Sequence, residues 1–524
     1  MDPTPLYVRI EGVNLDNFVY DVHDLSTIRG GSFLLLDAVR RVQDRFGLTA
    51  ISTGASSGLF TAPEGSAMSD ADALRREIEQ FLSDSDGKQR PKGEADQLKH
   101  ATFVVDVRAE GEGDEGFERA REPLLAMNRW RQFQQPTVAV PARGSRQDEC
   151  AFDHVRPAAS DVWVRENEKD VKKAASASVA ARRTFGRGQK KAFYEEELQR
   201  LARAIIENDP SAEEESEAVR QLARSVAAMD FTNDLETLAD NGTPRSLDGK
   251  IAVVYFDGNK FGRIQKGCKR PDLEAFDRTV KRYRGQALQR LLQSIVDAPD
   301  GWLAGEEIRL ETLLWGGDEL IWVVPAWKGW SVLRLFYEVS RDWRFNPETK
   351  PVEPLTHAGG VVFCHRVAPI HRMTELAKKL ADSCKEWFDR EPKPPNDHAS
   401  RDVFAYQVLE SFDHIGTEFE TFRETRVPLG CSVRELGVHC TGMDKATSAF
   451  DIVRRTFPSS KLHAIVALIR DHEVEEAKLM IEKTVSELRQ EGKVAVNELL
   501  SFFDPSSEGL TGWYHIAELW DYAV

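Results

Sequence analysis

The sequence predicts an α+β fold: two ferredoxin-like units, a mostly helical connecting region and a C-terminal helical bundle. Three observations lead there. The order strand, helix, hairpin, helix, strand occurs twice along the 524 residues, and βαββαβ is the ferredoxin-like arrangement. Finding one order twice is stronger than finding it once. Beyond residue 411, strand-like alternation gives way to amphipathic stretches of helix length. The expected domains are 1–145, 146–245, 246–410 and 411–524.

In the first unit, residues 6–14 read as a strand. Within 30–46, apolar residues at 35, 36, 39, 42 and 46 have helical spacing. Leu48–Thr53 and Leu59–Ala62 bracket Gly54-Ala-Ser-Ser-Gly58, a glycine-rich hairpin turn. A helix over 71–82, a strand over 101–107, a helix over 117–133 and a strand over 136–140 complete the unit. The second unit runs through strand 250–257, helix 271–297, hairpin 308–325, helix 329–345, strand 356–364, helix 370–388 and strand 402–408. Pro271 sits near the start of its first helix. Leu273, Phe276, Val280, Tyr283, Leu288, Leu291 and Ile295 form that helix's apolar stripe. Segments 444–457, 459–472, 473–491 and 494–503, then Trp513–Trp520, predict the closing bundle, packed on the second unit or on a partner.

Composition narrows the classes. Hydrophobic residues make up 41% of the chain, enough for ordinary cores. No apolar run approaches the length of a transmembrane helix, and Met-Asp-Pro-Thr-Pro lacks the features of a signal peptide. Six cysteines are scattered without paired spacing, as in a reducing cytoplasm. The net charge of −16 argues against a protein that coats nucleic acid over its whole surface. Residues 167–203 nevertheless carry Lys169, Lys172, Lys173, Arg182, Arg183, Arg187, Lys190, Lys191, Arg200 and Arg203. They form either a basic face for RNA or triphosphate, or a solvated helix surface.

The chemistry concentrates in two segments. Glu311–Pro325 places Gly316-Gly317-Asp318-Glu319 between two apolar runs, the form of a β-hairpin whose turn needs glycine. Lys250–Gly262 is an apolar strand ending at Asp257. Either segment alone is a common strand or turn. Together, about 60 residues apart with a helix between them, they would bring Asp257 to Asp318 and Glu319. Such hard oxygen donors suit Mg²⁺. The first hairpin carries no acid, so the first unit is expected to hold no catalytic metal. The tryptophans at 302, 315, 322, 327 and 330 are assigned to the core. His357, His365 and His371 have no metal partner in the pattern. Cys150 and His154 do not make up a four-ligand zinc set, and no zinc is expected.

Phe256-Asp257-Gly-Asn-Lys-Phe261 with Gly316-Gly-Asp-Glu-Leu320 resembles the palm of GGDEF-type nucleotide cyclases. It resembles still more the polymerase/cyclase palm in the large subunit of type III CRISPR effector complexes. That subunit makes cyclic oligoadenylates from ATP, has two palms of which one is active, and ends in a helical domain. The resemblance spans roughly residues 6–410 and implies a nucleotidyltransferase with Mg²⁺ or Mn²⁺. Its implied catalytic residues are Asp257, Asp318 and Glu319. Its metal ligands are Asp257, Asp318 and the Phe256 carbonyl, and its nucleotide contacts are Gly258, Lys260, Phe261, Gly316, Gly317 and Lys385. Lys385 matches a phosphate-contacting lysine of the cyclases, with Cys384 in place of their alanine, whereas Lys378 and Lys379 are assigned to solvent. Arg29-Gly30-Gly31-Ser32-Phe33 resembles the segment opening the first palm's helix, an exposed helix N-terminus for phosphate. The family's usual His-Asp nuclease domain has no room before residue 6, and His23-Asp24 is assigned to a loop. The implied partners are ATP or another NTP, RNA, CRISPR-like subunits and a second copy of the chain, with no membrane. Glu319 stands where the CRISPR subunit usually has aspartate. Two alternatives therefore stay open: a stand-alone dinucleotide cyclase acting on GTP, and a non-catalytic RNA-binding scaffold.

Overall fold

β1 (Leu6–Val13), α1 (Leu15–Val19), α2 (Leu25–Arg45), β2 (Thr49–Thr53), β3 (Ser57–Thr61), α3 (Ala71–Ser83), β4 (Thr102–Ala109) and α4 (Gly116–Gln134) make the first unit. The computed structural model describes residues 5–63, 71–83, 98–109, 116–135, 149–166, 169–242, 244–266, 268–348, 351–389, 402–409, 437–503 and 510–523. The strand expected over 136–140 lies outside them. The sheet order is β2-β3-β1-β4, antiparallel throughout, which is the ferredoxin-like order.

The connecting region contains β5 (Ser160–Glu166), β6 (Lys169–Ala175), α5 (Ala177–Asn208), α6 (Glu213–Ala227), β7 (Asp230–Phe231) and α7 (Leu235–Ala239). From 177 it is mostly helical, as expected. The stretch 160–175 is instead an antiparallel hairpin, in which Val162 and Val164 alternate with Trp163. The basic run 167–203 is therefore not one face. Lys172 and Lys173 lie on a strand, while Arg182, Arg183 and Lys190 are buried in α5. Arg182 pairs with Asp21, Arg183 with Asp24 and Lys190 with Glu311. Those three cations hold the fold together and are not offered to RNA.

The second unit comprises β8 (Lys250–Gly258), α8 (Phe261–Lys266), α9 (Arg270–Asp297), β9 (Leu303–Ala304), β10 (Glu307–Ile308), β11 (Glu311–Gly316) and β12 (Glu319–Pro325). It continues through α10 (Ala326–Ser340), β13 (Arg344–Phe345), β14 (Glu353–Pro354), β15 (His357–His365), α11 (Ile370–Asp389), β16 (Val403–Val408) and β17 (Gly437–His439). Its main sheet runs β11-β12-β8-β15-β16-β17, the same ferredoxin-like core extended at one edge. Both neighbours of β8 are antiparallel to it, and β16 joins parallel to β15 after the α11 crossover. With helices above it and strands on either side, β8 is buried from Ile251 to Phe256, so it reads as a continuous apolar run. Trp302, Trp315, Trp322, Trp327 and Trp330 are all buried, as the sequence predicts.

Among the described residues, five helices close the chain: Met443–Thr456, Ser459–Arg470, Val474–Glu487, Gln490–Phe503 and Leu510–Glu518. They dock on the second unit. Trp330 Nε1 donates to Thr447 Oγ1 at 2.9 Å, and Tyr522 packs on Phe363 while its hydroxyl meets Lys250 Nζ at 3.0 Å. No helix among the described residues is long and apolar enough to cross a membrane.

α2 begins at Leu25, earlier than expected. Asp24 caps it, accepting from the Thr27 N–H at 2.9 Å and the Thr27 hydroxyl at 2.7 Å. Arg29–Phe33 is therefore not an exposed helix start, and the expected phosphate site there is overturned. Gly30 and Gly31 serve packing instead. A Cβ on Gly30 would lie 1.8 Å from the Arg182 carbonyl oxygen, and one on Gly186 would lie 2.2 Å from that of Ser26. Only glycine at both positions lets α2 and α5 cross this closely. Arg29 is fully buried, with Nε 3.0 Å from Glu311 Oε1 in an ionic contact, and Lys190 Nζ donates to Glu311 Oε2 at 2.8 Å. One glutamate thus ties the first unit, the connector and β11 together.

Candidate active site

β12 runs antiparallel to β8 with Glu319 opposite Asp257 and Leu320 opposite Phe256. β11 pairs with β12 from Gly316 opposite Glu319, so Gly317 and Asp318 form the turn. Gly317 has φ of 51°, left-handed backbone that favours glycine. A Cβ on Gly316 would lie 2.1 Å from the Ala55 Cβ. The acid-bearing hairpin tip therefore rests on the tip of the acid-free hairpin in the first unit. The Thr53 N–H donates to Asp277 Oδ1 at 2.9 Å, reinforcing that junction. In the backbone, Asp257, Asp318 and Glu319 share one end of the sheet.

Their side chains are already engaged. Lys385 Nζ, reaching over from α11, is paired with Asp257 Oδ2 and lies 3.4 Å from the Gly258 carbonyl. The Tyr255 hydroxyl donates to Glu319 Oε1 at 2.7 Å. Burial pushes Asp318 up to about 6, and repulsion from Asp257 adds to the shift. Burial also raises Asp257, with Lys385 opposing and Glu319 reinforcing the shift. Asp382 rises for the same first reason, with Lys385 again opposing. The three carboxylates expected from the sequence thus sit close enough to repel one another, with Lys385 as the cation in contact. Among the described residues, no three His, Cys, Asp or Glu side chains form a ready-made metal cluster. That fits Asp257 and Glu319 being turned to Lys385 and Tyr255.

The remaining expected residues surround this centre. Gly258 is required where it stands, because a Cβ there would lie 2.7 Å from the Phe261 ring. Phe261 is buried against Phe276 and His357. Lys260 is exposed, with φ of 62°, just before α8. Phe256 is buried, its ring stacked on Phe336 with centroids 3.7 Å apart. His357 is fully packed, its pKa pushed down to about 3 by burial. His371 lies beside His23, ring centroids 4.8 Å apart and planes tilted by 32°.

Several contributors escaped the sequence reading. Lys378 lies 5.8 Å over the Tyr255 ring, which corrects its assignment to solvent, whereas Lys379 does face solvent and pairs with Glu375. Lys378, Asp382 and Lys385 recur at helical spacing, a pattern that would have placed them on one face of α11. Tyr20 comes from the first unit. Burial pushes its hydroxyl up to about 12, the Thr374 side chain bonds to it, and Asp16 and Glu319 raise it further. Arg284 on α9 donates to the Gly317 carbonyl at 3.2 Å and covers Trp315 at 4.6 Å.

Fold and site together define a double ferredoxin-like α+β protein with one acid-bearing hairpin and one acid-free hairpin in contact. Its similarity is to Csm1. The crystal structure of a Csm1-Csm4 cassette in complex with cA4 is 14% identical with a TM-score of 0.51, covering 99% of this chain and 70% of that one. Csm1 in T.onnurineus is 14% identical with a TM-score of 0.47, covering 100% and 70%. A Csm1-Csm4 subcomplex in the type III-A CRISPR-Csm interference complex is 14% identical with a TM-score of 0.39, covering 76% and 56%. The first of these establishes a shared fold over nearly the whole chain. No protein-family model matches the sequence, and no curated protein matches it significantly.

Proposed function

We propose that this chain is a metal-dependent nucleotidyltransferase that joins and cyclises nucleoside triphosphates, with cyclic oligoadenylate as product and type III CRISPR-type antiviral defence as setting. The observation that carries the reading is the placement of Asp257 opposite Glu319, with Asp318 in the adjoining turn. The acid-free partner hairpin supports it as well, since a purely structural duplication has no need for acids at the hairpin tip of one copy alone. The similar cassette structure is described as a complex with cA4, and adenosine triphosphate is accordingly the first substrate to test.

Hard oxygen donors held in mutual repulsion fit a divalent cation, Mg²⁺ or Mn²⁺, which is usually held by one or two carboxylates together with substrate phosphates. Asp257, Asp318 and the Phe256 carbonyl would hold it. When bound, such an ion neutralises triphosphate charge and eases ionisation of the attacking 3′-hydroxyl. The chain's own groups do the rest. Lys385 exchanges its contact with Asp257 for substrate phosphate, freeing that carboxylate. Tyr255 holds Glu319 in orientation, and Arg284 fixes the turn through the Gly317 carbonyl. Lys260, Gly258 and Phe261 border the route by which the nucleotide enters, and a CRISPR-type small subunit is the proposed protein partner.

The test incubates the purified chain with each NTP and Mg²⁺ or Mn²⁺, with and without RNA, and identifies products by mass spectrometry. Asp318→Ala should lower product formation by about a thousandfold while the protein stays folded, the several kcal/mol that charge stabilisation supplies. Undiminished product from that variant refutes the mechanism. Absence of product from the unmodified chain under all these conditions, with RNA bound, leaves the scaffold reading in its place.

A further inference from the structure

A cavity of about 560 Å³ lies between α2, α5 and α9, beside Thr53 and Gly54 of the first hairpin. Its lining includes none of Asp257, Asp318, Glu319 or Lys385. Its lining mixes apolar groups, Leu36, Val39, Leu201 and Ala204, with six cations, Arg40, Arg200, Arg278, Lys281, Arg282 and Arg284, against two acids, Glu197 and Glu207. In a chain of net charge −16, that excess of cations is local and out of character.

Glu207 is exposed, and the other acids nearby are already committed. Glu197 accepts from Trp315 Nε1 at 2.7 Å and pairs with Arg40 and, at 3.4 Å, with Arg200. Lys281 pairs with Asp277. Among the described residues, Arg278 and Arg282 are left with no acidic partner. Arg282 Nε and Arg284 Nε are both buried without a hydrogen-bond partner, and the Arg284 residue is only 7% exposed. Buried polar groups normally have a partner. Gathered guanidinium groups with such N–H donors to spare match phosphate oxygens in charge and geometry.

We propose that this cavity binds the phosphate chain of a nucleotide, at a site separate from the acid-bearing hairpin. The choice of a nucleotide as ligand rests on the function proposed above. The volume falls in the range of small-ligand pockets, and a lining that mixes cations with apolar side chains suits a ligand with both a phosphate chain and a base. Arg284 is the shared wall between the two sites, because the same guanidinium also bonds the Gly317 carbonyl.

The experiment uses the full chain carrying Asp257→Asn and Asp318→Asn, in EDTA, so that neither turnover nor metal contributes. Binding of ATP, tripolyphosphate and adenosine is measured by calorimetry at several salt concentrations. ATP and tripolyphosphate should bind, adenosine should not, and affinity should fall as salt rises. Adding Arg278→Glu and Arg282→Glu should weaken ATP binding at least tenfold with an unchanged melting profile. These side chains are partly exposed and have no acidic partner to lose. Arg282→Lys should cost less than the charge reversal. The proposal is overturned if ATP does not bind, if adenosine binds as well as ATP, or if the charge-reversed protein binds ATP undiminished. A wild-type chain that makes no product but still binds ATP in this way refutes the proposed activity and leaves the site standing.

Discussion

Replacing Glu311 by glutamine probes the contact that ties the two units and the connector together. Glu311 and Arg29 are fully buried and Lys190 is 4% exposed, so solvent screening is minimal. Removing one member of a buried ion cluster leaves the others uncompensated, at a cost of about 3–5 kcal/mol. Burial already presses Lys190 down to about 8 against the pull of Glu311, with Arg29 reinforcing the drop. Without Glu311 it must fall further. In the wild type the unfolded chain holds the Lys190 proton up to about 10.4 while the folded chain releases it near 8, so stability rises with pH across that window. In Glu311→Gln the window opens at lower pH. The variant's deficit should therefore be largest at acidic pH, shrink as pH climbs towards 8, and stay level above. Urea titration followed by tryptophan fluorescence reads this, taking the first transition because a chain of several domains has no single unfolding free energy. A midpoint at pH 6 indistinguishable from wild type would refute the reasoning. The combined Arg29→Met, Lys190→Met and Glu311→Leu variant should recover most of the loss, since replacing a whole buried cluster with apolar groups removes the desolvation cost along with the attraction.

Two further outcomes follow from single positions. Asp402 accepts the His357 N–H at 2.8 Å, yet burial raises it to about 7 against that bond and Arg344. With the folded value above the unfolded one, stability is lost as pH rises from about 4 to 7, and Asp402→Asn should regain about 4 kcal/mol at pH 8 and nothing at pH 4; equal gain at both would contradict it. Gly30→Ala should lower the melting temperature sharply, because its Cβ meets α5 backbone at 1.8 Å and overpacking costs about 1–3 kcal/mol or more. Gly188→Ala, two residues beyond Gly186 on the same helix and facing open space, should instead stabilise by about 0.5–1 kcal/mol, which separates the packing effect from glycine's backbone freedom.

What could be read from the sequence was what local pattern encodes. The two apolar runs flanking Gly316–Glu319 and the apolar run ending at Asp257 need only neighbours in the chain to be recognised. Whether the two strands pair is a long-range question, and the structure supplies the answer, with Asp257 opposite Glu319. The C-terminal helices were legible locally as well, since each is an amphipathic stretch with its own stop. Gly30-Gly31 was ambiguous in principle. A phosphate-binding helix start and a close helix crossing both demand glycine, and Gly186, which decides between them, is about 155 residues away. The basic run 167–203 misled likewise, because Asp21, Asp24 and Glu311, which neutralise Arg182, Arg183 and Lys190, lie outside it. Tyr20 reaches the acid site from the other unit, and no spacing in the sequence connects it to Glu319.

These long-range pairs explain why the acid-free unit persists beside the acid-bearing one. The hairpin that carries Asp318 is held at both ends by groups outside its own sheet. At the strand's start Glu311 is fixed by Arg29 and Lys190, and at the tip Gly316 sits on Ala55. On the proposed function, a misplacement of about 1 Å costs about a hundredfold in rate; within the sheet only β12 of this hairpin is paired to β8, so β11 and the turn lean on these outside contacts. The first unit therefore needs no acids of its own to matter to the site. Its contribution is to set where Asp318 stands relative to Asp257, which is why damage at Glu311 should be felt at the turn as well as in the melting curve.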